Sequence, residues 1–533
     1  MSKILDLLNV KKIGNKLPEI ILFILVTSYS VAFSALFIFR FHFFALHTDT
    51  GSYEQSIWTT IHGNILQSSL AVSVFPFNSV IGGYPIPDII TAFTFSTIHT
   101  NLIVLLLSPF YALFPHTETL LILASVVLAS GAIPIYCIAK KELKNKGISL
   151  IIASSYLLYP ALQAANVADF NYLVFAVPFL LSAFYFYRQE NWKLYWLFII
   201  LSLTVREEVA LFVLFLGILQ FFFHKKRRIG LVTMIVGLSS FLMLFGILES
   251  LPIHLFSGNF SIVGQGGGIG GILNTLITNP KVIYDHIVSV RDGVYLFEIF
   301  SHTAFLTFLS PISFIISFPE LLKNFLADPD SFRIMWNHYQ LLIIPGVFIS
   351  TIFSVKKIID KYSKRKNLVI YIIGTILIFF ALTSNSAFSP APLKETNISL
   401  EDNHFTWQKR YVVWEFLNYE CCYDYSDKNA MYQSYSEQIK SAYKAISMIP
   451  DNTSVSSQDE FVNHLSRRSS LYLFPLYYDK ADYVLIMEKT SGMFATGYVP
   501  QEMQEKYISL LEKDQKHRII LKENGLLLFK KIA

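Results

Sequence analysis

Long apolar runs separated by short polar stretches organise most of this chain. A membrane-crossing helix needs roughly 20 mostly apolar residues, fewer where the bilayer thins. The runs 19–43, 117–139, 147–163, 170–188, 193–205, 208–223, 229–249, 339–354 and 367–384 fit that description. The stretch 294–326 is too long for one helix, and Pro311 is expected to divide it into two short spans, because proline ends or kinks a helix. The segment 99–114, HTNLIVLLLSPFYALF, is a span too many for a regular alternation of sides. It reads either as a re-entrant or surface-lying helix, or as a span that makes Lys140 an exception.

Basic loops set the sides. KKIGNK (11–16), KKELKNK (140–146), HKKRR (224–228) and KKIIDKYSKRK (356–366) are expected in the cytoplasm. The loops 44–96, 164–169, 206–207, 250–293 and 327–338, and everything after 384, then lie outside. Residues 1–18 lack a small-residue cleavage site and read as a cytoplasmic leader to a retained first helix. The multi-pass region covers 19–384, with 44–96 as its first outer loop.

From 385 to 533 the pattern changes. Apolar runs shorten to strand length in TSVSS, DYVLIM, RIILK and LLLFK, and KENGL carries an Asn-Gly hairpin signal. SYSEQIKSAYKAISMI and QEMQEKYISLLEK have the spacing of amphipathic helices. The expected fold is an α-helical polytopic membrane protein of about 11–13 transmembrane helices, followed by a small extracytoplasmic α/β domain.

Composition agrees with a chain solvated largely by lipid. Of 533 residues, 53% are hydrophobic and only 15% charged, and mean hydropathy is +0.47; soluble domains average about 25% charged. The net charge of +5 sits in short basic loops, a topology signal rather than a nucleic-acid footprint. A multi-pass plasma-membrane protein is the expected setting. Three cysteines give no disulfide framework, and adjacent Cys421 and Cys422 are read as unpaired. The glycines of GQGGGIGG, 264–271, lack the surrounding βαβ unit of a dinucleotide site and read as a flexible outer loop. There is no Walker lysine motif, no HExxH and no CxxC, so an ATP-driven pump finds no support.

Candidate chemistry gathers on the outer side. Asp49, Tyr53 and Gln55 open the first large loop. Asp169 and Asn171 stand in VADFNYL, Arg206, Glu207 and Glu208 in TVREEVA, and His338 and Tyr339 in WNHYQ; Glu298 and His302 lie just inside an outer helix end. Such a one-sided set points to an outward-facing polar cavity. Each member also has a plainer reading. Asp49 could cap a surface helix. Glu207 and Glu208 could serve the positive end of the next helix. Asp169 and Asn171 could form a turn, and His338 with Tyr339 an interfacial anchor.

The stretch HTDTGSYEQSIWTTIHGN resembles the opening signature of domain-of-unknown-function family 2079, a family of predicted multi-pass membrane proteins. The shared residues are Asp49, Gly51, Tyr53, Gln55, Trp58, His62 and Gly63. HTNLIVLLLSPFYALFP, FNYLVFAVPFLL, VREEVALFVLFLGI, FPELLKNFL…NHYQLLIIP and IPDNTSVSSQDEFVNHLSRRSSLYLFP are similar to its later blocks. Two positions depart from the pattern: Asp169-Phe-Asn171 stands where a Phe-His pair is usual, and His99 lacks a following Ser-Pro. The family resembles the GT-C glycosyltransferases, the class of protein mannosyltransferases and aminoarabinose transferases. That resemblance implies transfer of a sugar from a polyprenyl-phosphate carrier to an acceptor glycan, lipid or protein, with a catalytic acid in the first outer loop. Asp49 is then the expected base, and Arg206, with His99 or His338, the expected partner of the phosphate. Tyr53, Gln55, Asp169, Asn171, Glu207, Glu208 and Tyr339 would bind substrate, and the acids among them could hold Mg²⁺ or Mn²⁺. The alternative is a non-enzymatic transporter or a scaffold presenting the outer domain.

Overall fold

A computed structural model describes residues 16–71, 99–249, 260–264, 268–288, 290–328, 330–335, 337–389, 400–401, 404–405, 428–488, 501–514 and 516–532. Cys421 and Cys422 lie outside these described residues, as do 1–15 and the part of the first loop from 72 to 98.

Each apolar run expected to cross the membrane contains helix. α1 (Leu17–His42) is followed by α2 (Thr48–Ile61) and α3 (Ile103–Leu113). The run 117–139 forms α4 (Thr117–Ser130) and α5 (Ala132–Leu143). α6 (Lys146–Leu157) and α7 (Pro160–Val167) meet at a 41° bend ahead of Pro160. Then come α8 (Ala176–Arg188), α9 (Trp192–Leu203), α10 (Val209–Ile218) and α11 (Arg227–Glu249). α12 (Gly268–Thr278) and α13 (Pro280–Ile287) precede α14 (Val290–Ser301), α15 (Phe318–Leu326), α16 (Ile344–Lys361) and α17 (Lys366–Phe388). Among the described residues, Leu17–His42, Thr117–Leu143, Arg227–Gly246 and Ser363–Phe388 are long and apolar enough to cross a membrane, and the bent α6–α7 pair makes either a fifth, broken span or a re-entrant loop. The 11 residues of α3 fall short of a full crossing. Phe23, Ile24 and Val31 on α1, Leu238, Leu242 and Met243 on α11, and Phe379 and Leu382 on α17 are all exposed. Apolar faces of that extent are tolerated by lipid, not by water.

Two expectations need correction. The run 294–326 does not divide at Pro311 alone. Ala304 and Phe305 take left-handed backbone (φ 52° and 57°), α14 ends at Ser301, and short helical turns fill the interval to α15. A left-handed pair without glycine leaves no mark on hydrophobic periodicity. The glycine-rich stretch is not wholly loop either, since α12 starts at Gly268.

The chain forms two compact units. The first comprises 1–34, 123–168 and 173–410. Within it, α10 and α11 pack backbone against backbone through glycines. A Cβ on Gly217 would lie 2.5 Å from the Met234 nitrogen, and one on Gly230 2.6 Å from the Phe221 nitrogen. Small residues drive helix association in lipid because nothing apolar is gained by burying larger ones. Replacing Gly217 by valine is therefore expected to separate the pair at a cost of about 1–3 kcal/mol. A lowered thermal midpoint in detergent checks it; an unchanged midpoint would mean the helices can part freely.

The second unit comprises 35–122, 169–172 and 411–533. Its sheet contains β1 (Val455–Ser457), β2 (Leu471–Leu473), β3 (Tyr483–Met487), β4 (His517–Glu523) and β5 (Leu526–Lys531). The strand order is β2-β1-β3-β5-β4. β1 runs parallel to both neighbours, while β5 is antiparallel to β3 and β4. The hairpin between β4 and β5 turns on Asn524 and Gly525, both at positive φ, as the Asn-Gly signal requires. α18 (Lys428–Ser447), α19 (Asp459–Leu465) and α20 (Gln501–Lys513) complete the domain. Successive strand residues face opposite sides. Leu485, Leu526 and Leu528 pack with Phe461, and Val484, Ile486, Leu527 and Phe529 with Ile508 and Leu511. Burial on both faces explains why these strands read as continuous apolar runs. Phe44 and Leu70, from the first loop, join the first of these cores.

Candidate active site

A dense cluster of polar and titratable side chains lies in the second unit, where α1 ends and α2 begins. The last carbonyls of a helix lack partners within it. Here His464 Nε2 bonds the Phe41 carbonyl at 3.0 Å, and just past the helix Arg40 Nη2 donates to Ala45 O at 2.7 Å and Asn463 Nδ2 to Leu46 O. Burial holds the His464 imidazole down at about 3, so it is neutral. Phe44 takes left-handed backbone (φ 58°), turning the chain so that its ring enters the domain core.

His47 is the N-cap of α2 and offers no side-chain cap of its own. The cap comes from far along the chain. Asp459, in the first turn of α19, accepts from the Thr48 nitrogen at 2.7 Å, from the Thr48 hydroxyl, and meets His47 Nδ1 at 2.9 Å. Asp169 Oδ1 accepts from the His47 nitrogen at 2.7 Å and from Thr50 Oγ1 at 3.3 Å. Thr50 Oγ1 in turn accepts from the Phe170 nitrogen at 3.0 Å. Burial alone would lower the His47 pKa; the Asp169 and Asp459 carboxylates outweigh it and raise the ring to about 9. Burial pushes the Asp169 carboxyl up, while His47 and Arg40 draw it back.

Asp49 stands in the first turn of α2, half-buried, and its carbonyl accepts from Ser52 Oγ at 3.0 Å. It is thus not the helix cap, a place that Asp459 serves through Thr48. A carboxylate in the first turn is stabilised by the unpaired N–H groups there. Tyr53 is buried: its hydroxyl accepts from Asn171 Nδ2 at 3.3 Å and its carbonyl from Tyr172 at 2.8 Å. Gln55 is fully buried and committed within the protein. Its amide donates to Arg468 O and Ser69 Oγ, and its carbonyl accepts from Ser68 Oγ and the Leu70 nitrogen. All four of its hydrogen-bonding positions are filled, so it holds the loop rather than facing a ligand. His99 is half-buried just ahead of α3.

Glu54, which the sequence did not single out, is wholly buried. Tyr111 donates to it at 2.6 Å, Thr117 at 2.7 Å and Ser466 at 2.6 Å. Burial pushes its carboxyl up and these hydroxyls pull it back. The node ties α2 to α3, to the start of α4 and to the chain after α19. Glu54→Gln leaves one oxygen for three donors and is expected to lower stability by about 2 kcal/mol; chemical denaturation in detergent measures it, and equal stability would show that the hydroxyls find other acceptors.

The first unit gathers the remaining candidates. Arg206 and Glu207 are buried and Glu208 nearly so, at the start of α10. Arg206 Nε lies 3.4 Å from Glu208 Oε2. Lys323 and Glu320 of α15, neither read as functional from sequence, join them: Lys323 Nζ is 2.8 Å from Glu208 and 2.7 Å from Glu320. Lys323 also lies over the rings of Phe332 and Tyr339, which stack at 4.0 Å, and the half-buried His338 ring tilts against Tyr339. His302, by contrast, is buried and bonded to the Ser155 carbonyl at 2.8 Å. Among the described residues, no three His, Cys, Asp or Glu side chains are disposed to hold a metal ion.

No curated protein matches the chain. Among solved structures it is similar to ArnT from Cupriavidus metallidurans bound to undecaprenyl phosphate, at 8% identity and a TM-score of 0.46 over 95% of this chain and 98% of that one. The same protein in the apo state gives 9% and 0.45, with 95% and 98% covered. The Archaeoglobus fulgidus oligosaccharyltransferase in complex with Zn and sulfate gives 13% and 0.41, over 91% of this chain and 71% of that one. The sequence model of DUF2079, described as a predicted membrane protein, matches residues 42–528, and the chain belongs to that family.

Proposed function

We propose that the protein is a GT-C-like glycosyltransferase that moves a sugar from a polyprenyl-phosphate carrier to an acceptor hydroxyl at the outer face of the membrane. The observation that carries this reading is the first turn of α2. Directly after the span α1, it holds Asp49 half-buried, two residues past His47, which Asp169 and Asp459 bind. A lipid-borne sugar phosphate presents its anomeric carbon near the membrane surface, where an acid in that position can act.

In the reaction, the acceptor oxygen bonds to the anomeric carbon as the bond from that carbon to the phosphate oxygen breaks. The acceptor proton passes to the Asp49 carboxylate, a general base in hydrogen-bond reach. The phosphate leaves on the polyprenol with both electrons of the broken bond, and the charge that develops on its oxygens calls for a cationic donor, a role that a planar guanidinium suits. The described carboxylates do not form a metal-binding group, and no step here runs through a metal.

The test uses the full chain in liposomes with undecaprenyl-phosphate sugars and a panel of hydroxyl acceptors. Time-dependent release of undecaprenyl phosphate with a new glycoside is the expected result. Bound donor with neither transfer nor hydrolysis across the panel would favour transport or scaffolding.

A further inference from the structure

Lys323 sits between two carboxylates in the first unit. Its Nζ is 2.8 Å from Glu208 and 2.7 Å from Glu320, and Arg206 reaches the other oxygen of Glu208 at 3.4 Å. The four groups come from two separate stretches, the turn before α10 and the helix α15. Two cations and two carboxylates nearly out of water form an expensive arrangement, and a buried ion network of this kind is often no more stable than a packed apolar one. Stability alone is a weak reason for its presence.

The burial is graded. The Arg206 side chain is 3% exposed and Glu320 6%, whereas Lys323 is 15% and Glu208 18%. Lys323 and Glu208 are thus the more accessible two of the four groups. Lys323 also has the flexible member's chemistry: an ammonium on a four-carbon stem with rotatable donors, unlike the fixed fork of arginine. The stacked rings of Phe332 and Tyr339 lie 5.8 Å and 5.9 Å from its nitrogen and favour the cation from one side.

We propose that Lys323 is an anion-exchange residue: Glu208 occupies it in the resting protein, and a phosphate monoester or diester displaces that carboxylate on binding. Glu208 then remains with Arg206, while Glu320 keeps the ammonium in place. This deepens the transferase reading by naming a phosphate-binding residue and its internal competitor, but it concerns binding and stands apart from transfer.

The experiment measures binding of undecaprenyl phosphate to full-length protein in nanodiscs, with undecaprenol as the uncharged control and inorganic phosphate as competitor. Lys323→Met is expected to weaken the phosphate-bearing lipid by at least about tenfold and leave undecaprenol unchanged. Glu208→Gln removes the competitor and is expected to tighten binding about threefold or more. Competition by inorganic phosphate would identify the free anion as a sufficient ligand; its absence, with undecaprenyl phosphate still dependent on Lys323, would assign the site to the lipid-borne group. Should Lys323→Met fail to fold, Glu208→Gln decides the matter alone. Unchanged or weaker binding in Glu208→Gln overturns the exchange, as does equal loss of both lipids in Lys323→Met. Wild-type protein that binds but never transfers sinks only the transferase reading.

Discussion

Replacing Asp49 by asparagine lowers sugar transfer by about 10²–10⁴-fold while leaving the fold and donor binding intact; that is the range a positioned general base supplies. The substitution is nearly isosteric. It keeps an oxygen to accept hydrogen bonds in the first turn of α2 but cannot take a proton. Because the helix is capped by Asp459 through Thr48, Asp49 is not needed to start it. A stability loss above about 1 kcal/mol is therefore not expected. The measurement is kcat in liposomes beside a thermal midpoint. A fall in kcat with KM held places Asp49 in the transition state. Transfer at the wild-type rate would remove it from the chemistry and leave it a residue that merely suits a helix end.

The apolar runs announced the helices because a crossing needs length and hydrophobicity, both local properties. The hairpin at Asn524-Gly525 was equally legible, since two left-handed residues in a row demand that pair. Other features depend on pairings that no local pattern encodes. Asp459 lies in a helix of seven residues behind a three-residue strand, too short for a period, and its partners are more than 400 positions away. Glu54 looked like one polar residue among many in TDTGSYEQS, yet it is the acceptor for three hydroxyls from three segments. Gln55 shows the converse. A polar side chain at a functional-looking motif can serve buried backbone groups instead, and composition cannot tell the two apart. Lys323 escaped notice because FPELLKNFL reads as the end of a short membrane span until its neighbours Glu208 and Tyr339 arrive from elsewhere in the chain.

Removing the Asp459 carboxylate altogether is expected to be the most disruptive single change in the second unit. In Asp459→Ala the Thr48 nitrogen and hydroxyl, both buried, lose their acceptor, α2 loses its cap, and His47 loses one of the two carboxylates that hold it charged. Together these losses are expected to cost about 3–5 kcal/mol. Asp459→Asn retains one acceptor oxygen and should cost roughly 1–2 kcal/mol. The pH dependence separates capping from charge. His47 titrates near 9 in the folded protein, above the ordinary histidine value of 6.5. Its contribution is thus complete below about 6.5 and is lost as pH rises through about 9. The ring is 41% exposed, so solvent screening trims that contribution to about 1 kcal/mol. Wild-type stability should therefore fall between pH 7 and about 9.5, and the fall should shrink in Asp459→Asn, which keeps the cap but not the charge. A slope that is the same in both proteins would mean that Asp169 alone holds His47 protonated, and that Asp459 acts on α2 only as a hydrogen-bond acceptor.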